Sequence, residues 1–111
     1  MRAGNEAGDL VTVALQGDLG KPRPALIIQA DSYHETASVV ILPVTSTIQD
    51  APLLRLTVEP DGVNGLKKMS SIMIDKPSTI QRGKVGPAFG RLHDYQMVEI
   101  TRLLAVFLGM A

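Results

Sequence analysis

One of the longest apolar runs in this chain is Val39 to Val44. It is far too short to cross a bilayer, which takes about 20 residues in a helix. Its Val and Ile content is that of a central strand buried on both faces. Ala25 to Gln29 and Ser38 to Leu42 read the same way. Leu10 to Leu15 alternates, with Val11, Val13 and Leu15 on one face. Leu54, Leu56 and Val58 alternate with Arg55 and Thr57. Ile72 and Ile74 share one strand face, and Ser71, Met73 and Asp75 share the other. Glu59–Pro60–Asp61–Gly62 and Asn64–Gly65 carry turn chemistry. Pro43 has no N–H for a ladder, so it predicts an edge or a bulge just before Thr45.

The apolar period changes only near the C-terminus. Met97, Ile100, Leu103, Leu104, Phe107 and Leu108 follow the three-and-four spacing of one buried helix face. Asp94 reads as the N-cap, Met97 leaves no capping box, and Gly109 supplies the stop. Short strands in series, closed by one helix, predict a mainly β fold with a C-terminal α-helix, as a small, strongly curved β-barrel. The 111 residues suit one domain, assigned to residues 8–111. Met1 to Ala7 reads as a loose tail without the apolar core of a signal peptide. The chain has no cysteine, which excludes disulfides and thiolate metal sites and is compatible with a cytoplasmic location. No segment is apolar enough for the membrane.

Eleven basic residues balance eleven acidic ones. A chain of zero net charge is no broad attractor for nucleic acid, so any RNA site must be local. The strongest local candidate is Lys21–Pro22–Arg23–Pro24–Ala25–Leu26–Ile27–Ile28–Gln29. Each proline biases the residue before it to extended geometry and fixes its own φ. Arg23 therefore starts from a stiff backbone, which lowers the cost of ordering its guanidinium on a ligand. A planar fork of five donors suits a phosphate.

Further motifs follow in order. Gly8–Asp9–Leu10–Val11 opens the first strand, and Val39–Val40–Ile41–Leu42–Pro43–Val44–Thr45–Ser46 follows the arginine segment. Asp75–Lys76–Pro77–Ser78–Thr79–Ile80 comes later. This series resembles the MazF/PemK family of endoribonuclease toxins over residues 8 to 109. The resemblance implies an SH3-like barrel and a homodimer with single-stranded RNA in a groove across two subunits. It also implies an mRNA interferase that needs no metal or other cofactor. The adjacent 2′-OH would attack phosphorus and leave 2′,3′-cyclic phosphate and 5′-OH ends. A cognate antitoxin would silence it, with a disordered acidic segment lying in the groove.

By the same resemblance, Arg23, Thr45 and Asp75 are the catalytic candidates. Arg23 is a poor base at a pKa above about 12, so electrostatic stabilisation of the phosphorane is the better role. The Thr45 hydroxyl can donate to a non-bridging oxygen as charge develops. Asp75 is a plausible base for the 2′-OH. Lys21, Ser46, Lys76 and Arg82 are candidates for RNA contacts, with Lys67, Lys68 and Lys84 as further basic residues.

One departure stands out: the PemK branch carries an arginine two residues before that aspartate, and this chain has Met73. Catalysis then rests on Arg23 and Thr45, or an arginine such as Arg82 reaches in, or activity is weak or absent. His34 and His93 form no metal motif and read as surface residues. Tyr33, Phe89, Tyr95 and Phe107 are the only aromatics. With Phe107 assigned to the helix core, base stacking has few candidates and loop hydrogen bonds are favoured. Two other readings share the architecture. One is a CcdB-like gyrase inhibitor, which that family's C-terminal tryptophan argues against, since this chain has no tryptophan. The other is a barrel that only binds RNA or protein.

Overall fold

Seven strands and one long helix appear in a computed structural model that describes residues 6–14 and 21–110. They are β1 (Asp9–Ala14), β2 (Pro22–Ile27), β3 (Ser38–Thr45), β4 (Arg55–Val58), β5 (Ser70–Met73), β6 (Ser78–Gln81), β7 (Val85–Arg91) and α1 (Asp94–Phe107). The sheet runs β4-β5-β3-β2-β1-β7, with β6 also paired to β3. All ladders are antiparallel. The path is not closed between β4 and β7, so the fold is barrel-like rather than a sealed barrel. The expectations for Leu15 and for residues 1–5 fall outside the described residues. Glu6 and Ala7 were assigned to the loose tail, but both are tied down. The Glu6 N–H donates to Asp9 Oδ2 at 3.1 Å, and the Ala7 N–H donates to Asp31 Oδ1 at 2.7 Å.

The alternation along each strand separates two cores rather than core from solvent. Leu10, Leu26, Leu42, Val44 and Ile72 pack on the helix side with Ile100 and Leu103. Val11, Val13, Ala25, Ile27, Val39, Ile41 and Ile80 pack on the other. Burying the Ile100 and Leu103 side chains contributes about 1.5–3 kcal/mol each. Phe107, expected in this core, is instead exposed, as is Leu108. The last turn of α1 thus keeps Val106, Phe107 and Leu108 at the surface.

The N-terminus of α1 also differs from expectation. His93, not Asp94, is the N-cap, and the Gln96 side chain returns to accept the His93 N–H at 3.0 Å. The frame begins one residue earlier, so an amide stands at the third helical position after all. The C-terminus is as expected. Gly109 sits at φ +75°, where L side chains are strained. The Met110 N–H reaches back to the Ala105 carbonyl at 2.7 Å.

Prolines decide where the ladders stop. The Ile28 N–H points to β3 and meets the Val40 carbonyl at 3.1 Å. Backbone alternation aims the nitrogens of Leu26, Pro24 and Pro22 the same way. Pro24 and Pro22 have no hydrogen to give, and the β2–β3 ladder ends at Ala25↔Pro43. Pro43 is neither at an edge nor at a bulge; it is buried inside the central strand β3. Its nitrogen faces the gap where β3 leaves β6 after Ile41 and takes up β5 at Val44. No ladder bond is required there. The ends of β2 and β3 are thus freed from each other beside Arg23 and Thr45.

Candidate active site

The freed strand ends open onto a groove of about 730 Å³. Arg23 and Pro24 of β2 line it, with Thr45, Ser46 and Thr47 at the end of β3. Met73 of β5, Phe89 of β7 and the loop residues Lys67 and Lys68 complete the walls. Arg23 and Thr45, separated by 22 positions in sequence, therefore meet at one surface.

The Thr45 hydroxyl accepts the Thr47 N–H at 3.1 Å, closing a local turn. A hydroxyl has one proton and two lone pairs, so this bond uses an acceptor site and leaves the proton for a ligand oxygen. Across the ladder Thr45 faces Ser71, which is fully buried and whose Oγ has no hydrogen-bond partner among the described residues. Ser46 also lines the groove. Its alternation from Thr45 does not remove it, because β3 ends at Thr45 and the chain turns.

The other expected residues lie elsewhere. Asp75 follows β5 in a turn and is not among the groove-lining residues. Its Oδ1 is bonded to Arg55 Nη1, whose side chain is only 9% exposed. Arg55 is the cross-strand neighbour of Met73. The arginine missing at Met73 is therefore matched by one on the facing strand, two residues short of the same carboxylate. Sequence reading missed this because β4–β5 register is invisible in the chain. Arg82 does not reach in: its guanidinium donates to the Tyr33 and Thr36 carbonyls and so clamps the loop after β2. Lys21 and Lys76 are exposed and outside the groove lining.

The wall bearing Lys67 and Lys68 is held by Asn64, which is fully buried. Asn64 Oδ1 accepts the N–H groups of Asp61 (3.1 Å) and Leu66 (2.9 Å), and Nδ2 donates to the Glu59 carbonyl at 2.8 Å. A Cβ on Gly90 would lie 2.1 Å from the Asn64 carbonyl oxygen, so only glycine lets β7 approach this loop. Asp61 Oδ1 accepts from Val63 and Asn64 at 2.8 Å each, and Oδ2 pairs with His93 Nε2 at 3.0 Å. The Asn64 N–H and then His93 hold the Asp61 carboxyl below its ordinary 3.8. His93 also stacks on Tyr95, with ring centroids 5.5 Å apart. It is a half-buried joint between helix and loop, not the plain surface residue expected.

The Gly8–Asp9 motif has a structural account. Gly8 adopts φ +91°, and Asp9 is fully buried, 3.8 Å from Arg91 Nη1 at the β1–β7 junction. These residues shape the sheet rather than the groove.

Known proteins share this fold and family. A relative from Mycolicibacterium smegmatis, a probable endoribonuclease MazF, is 49% identical over 105 residues, covering 94% of this chain and 96% of its own. An endoribonuclease from a mycobacterial species, solved in complex with its cognate antitoxin, superposes with a TM-score of 0.81 at 22% identity over 96% of each chain. MazF from Deinococcus radiodurans gives 0.79 at 23% identity over 98% of this chain and all of its own. At such identities the solved structures establish the fold alone, an SH3-like barrel with a C-terminal helix. The family model for PemK-like, MazF-like toxins of type II toxin–antitoxin systems matches residues 6–108. With nearly the whole chain matched and its Gly-Asp, Pro-Arg-Pro and Thr-Ser motifs accounted for, the chain belongs to this PemK-like, MazF-like toxin family.

Proposed function

We propose that this protein is the endoribonuclease toxin of a toxin–antitoxin pair, cutting single-stranded mRNA in the cytoplasm without a metal. The observation that carries the reading is the meeting of Arg23 and Thr45 in one groove, flanked by Lys67 and Lys68. In the reaction the 2′ oxygen bonds to phosphorus and loses its proton. The P–O5′ bond breaks, and the 5′ oxygen gains a proton. Charge develops on the non-bridging oxygens of the phosphorane. Arg23 offers a guanidinium on a stiff backbone there, and Thr45 offers a hydroxyl proton.

Among the described residues, no carboxylate or imidazole lines the groove. The 2′ proton therefore leaves to solvent hydroxide in this scheme, and log kcat rises with pH without a carboxylate plateau. Asp75, bonded to Arg55, is the base that a plateau near the carboxylate range would restore. The antitoxin would occupy the same groove with an acidic segment, and the working form would be a homodimer.

The test is incubation with a long single-stranded RNA in excess EDTA, with fragment ends read by mass spectrometry. Discrete cuts bearing 2′,3′-cyclic phosphate and 5′-OH ends, lost in Arg23→Ala at unchanged thermal midpoint, are expected. Uncut RNA at high protein concentration would leave only the binding reading.

A further inference from the structure

We infer that Phe89 is a base-stacking platform that receives one nucleobase of the RNA next to the phosphate held by Arg23. This rests on the endoribonuclease reading and adds a specificity-determining residue to it. The first support is the ladder. Leu10 pairs with Gly90 while the adjacent Val11 pairs with Ala88. Phe89 is therefore the extra residue of a β-bulge, a device that re-aims a side chain and recurs beside active sites. The bulged ring is turned to the groove that Arg23 lines.

A second support is what stands behind the ring. Gly65, at φ +67°, leaves room for it: a Cβ there would lie 2.4 Å from the Phe89 carbonyl oxygen and 3.2 Å from Cδ1. The loop backbone is thereby packed against the ring, which nonetheless remains 38% exposed. A large apolar ring kept partly in water, beside Arg23, Lys67 and Lys68, matches the pairing of π-face and phosphate that single-stranded nucleic acid presents. No other aromatic side chain lines the groove among the described residues, so one base is stacked, not a series. The scarcity of aromatics that argued against stacking in the sequence becomes a statement about number.

The test uses wild-type, Phe89→Leu and Phe89→Trp proteins on a short RNA containing one cut site. Leucine keeps apolar volume and removes the π-face; tryptophan keeps both. Phe89→Leu is expected to lower kcat/KM by about 10- to 100-fold through KM, with Phe89→Trp near wild type. Single abasic substitutions supply the matching half of a cycle. One position beside the cut should cost wild type a similar factor and cost Phe89→Leu almost nothing. Equal abasic penalties in both proteins, or wild-type kcat/KM in Phe89→Leu, would overturn the inference, and the latter would assign the ring to a protein partner.

A parallel measurement does not depend on cleavage. A 2′-deoxy oligonucleotide carrying 2-aminopurine beside the cut position should lose fluorescence on binding wild type and keep it with Phe89→Leu. If wild type cuts no RNA yet quenches the probe, the nuclease reading fails and the stacking site stands. If it cuts RNA but quenches at no position, the stacking site fails and the nuclease stands.

Discussion

At the scale of single residues, Thr45 separates chemistry from architecture. Its oxygen already serves the Thr47 N–H, so Thr45→Ala removes a turn bond as well as the proposed donor to the substrate. The turn bond alone is worth about 1 kcal/mol. Loss of one preorganised donor to a charged transition state costs about 10²–10³-fold in kcat. Thr45→Ala should therefore lower kcat by that order while the thermal midpoint moves only a few degrees, and Thr45→Ser should recover most of both. A Thr45→Ala protein of normal kcat would reduce Thr45 to a turn residue. Arg23 stands out in the sequence by its proline-stiffened backbone and Thr45 by its place in the family motif, and the fold brings both to one groove. Arg55 does not stand out, because its partner Asp75 lies 20 positions away and register is set only when β4 and β5 pair.

At the scale of elements, the helix and the loop before Lys67 are joined through the Asp61–His93 pair. The Asp61 carboxyl is lowered in the folded protein, chiefly by the Asn64 N–H and then by His93. Between the folded and unfolded values the unfolded chain binds the extra proton, so acid favours unfolding. This stabilisation is complete above about pH 4, near the unfolded carboxyl value, and fades as pH falls through the lower folded one. In Asp61→Asn the acid-side fall in thermal midpoint between pH 5 and pH 2.5 should be shallower than in wild type. An identical fall in both proteins would mean the pair has no energetic weight.

The elements themselves were read unevenly. Strands with unbroken Val and Ile, such as β2 and β3, announced themselves. β7 did not, since Gly86, Pro87 and Gly90 interrupt any period-two pattern. Those same interruptions produce the bulge at Phe89. The helix follows its apolar spacing, but its N-cap is His93 rather than Asp94, and the spacing that predicts a buried last turn does not reveal that Phe107 and Leu108 are exposed.

At the scale of the whole molecule, zero net charge limits how RNA can be held. Among the described residues, three cations line the groove: Arg23, Lys67 and Lys68. For single strands each neutralised phosphate contributes about −0.7 to the slope of log K against log salt, so three give about −2. Binding of a non-cleavable oligonucleotide, measured from 50 to 300 mM salt, should follow that slope, and Lys67→Gln should make it shallower by about 0.7. A slope near −6 would place most of the binding energy outside this groove.

The prolines that end the ladders have one more consequence. Exposed strand ends commonly recruit an incoming peptide by backbone pairing, the route to both β-augmentation and aggregation. Pro22 and Pro24 present no N–H along the β2 margin of the groove, and Pro43 presents none on the far side of β3. A visiting chain finds no template for an added strand at that margin. Whatever enters must be recognised by its charges and side groups, so this mouth can stay open in a crowded cell without becoming adhesive to every extended peptide that passes.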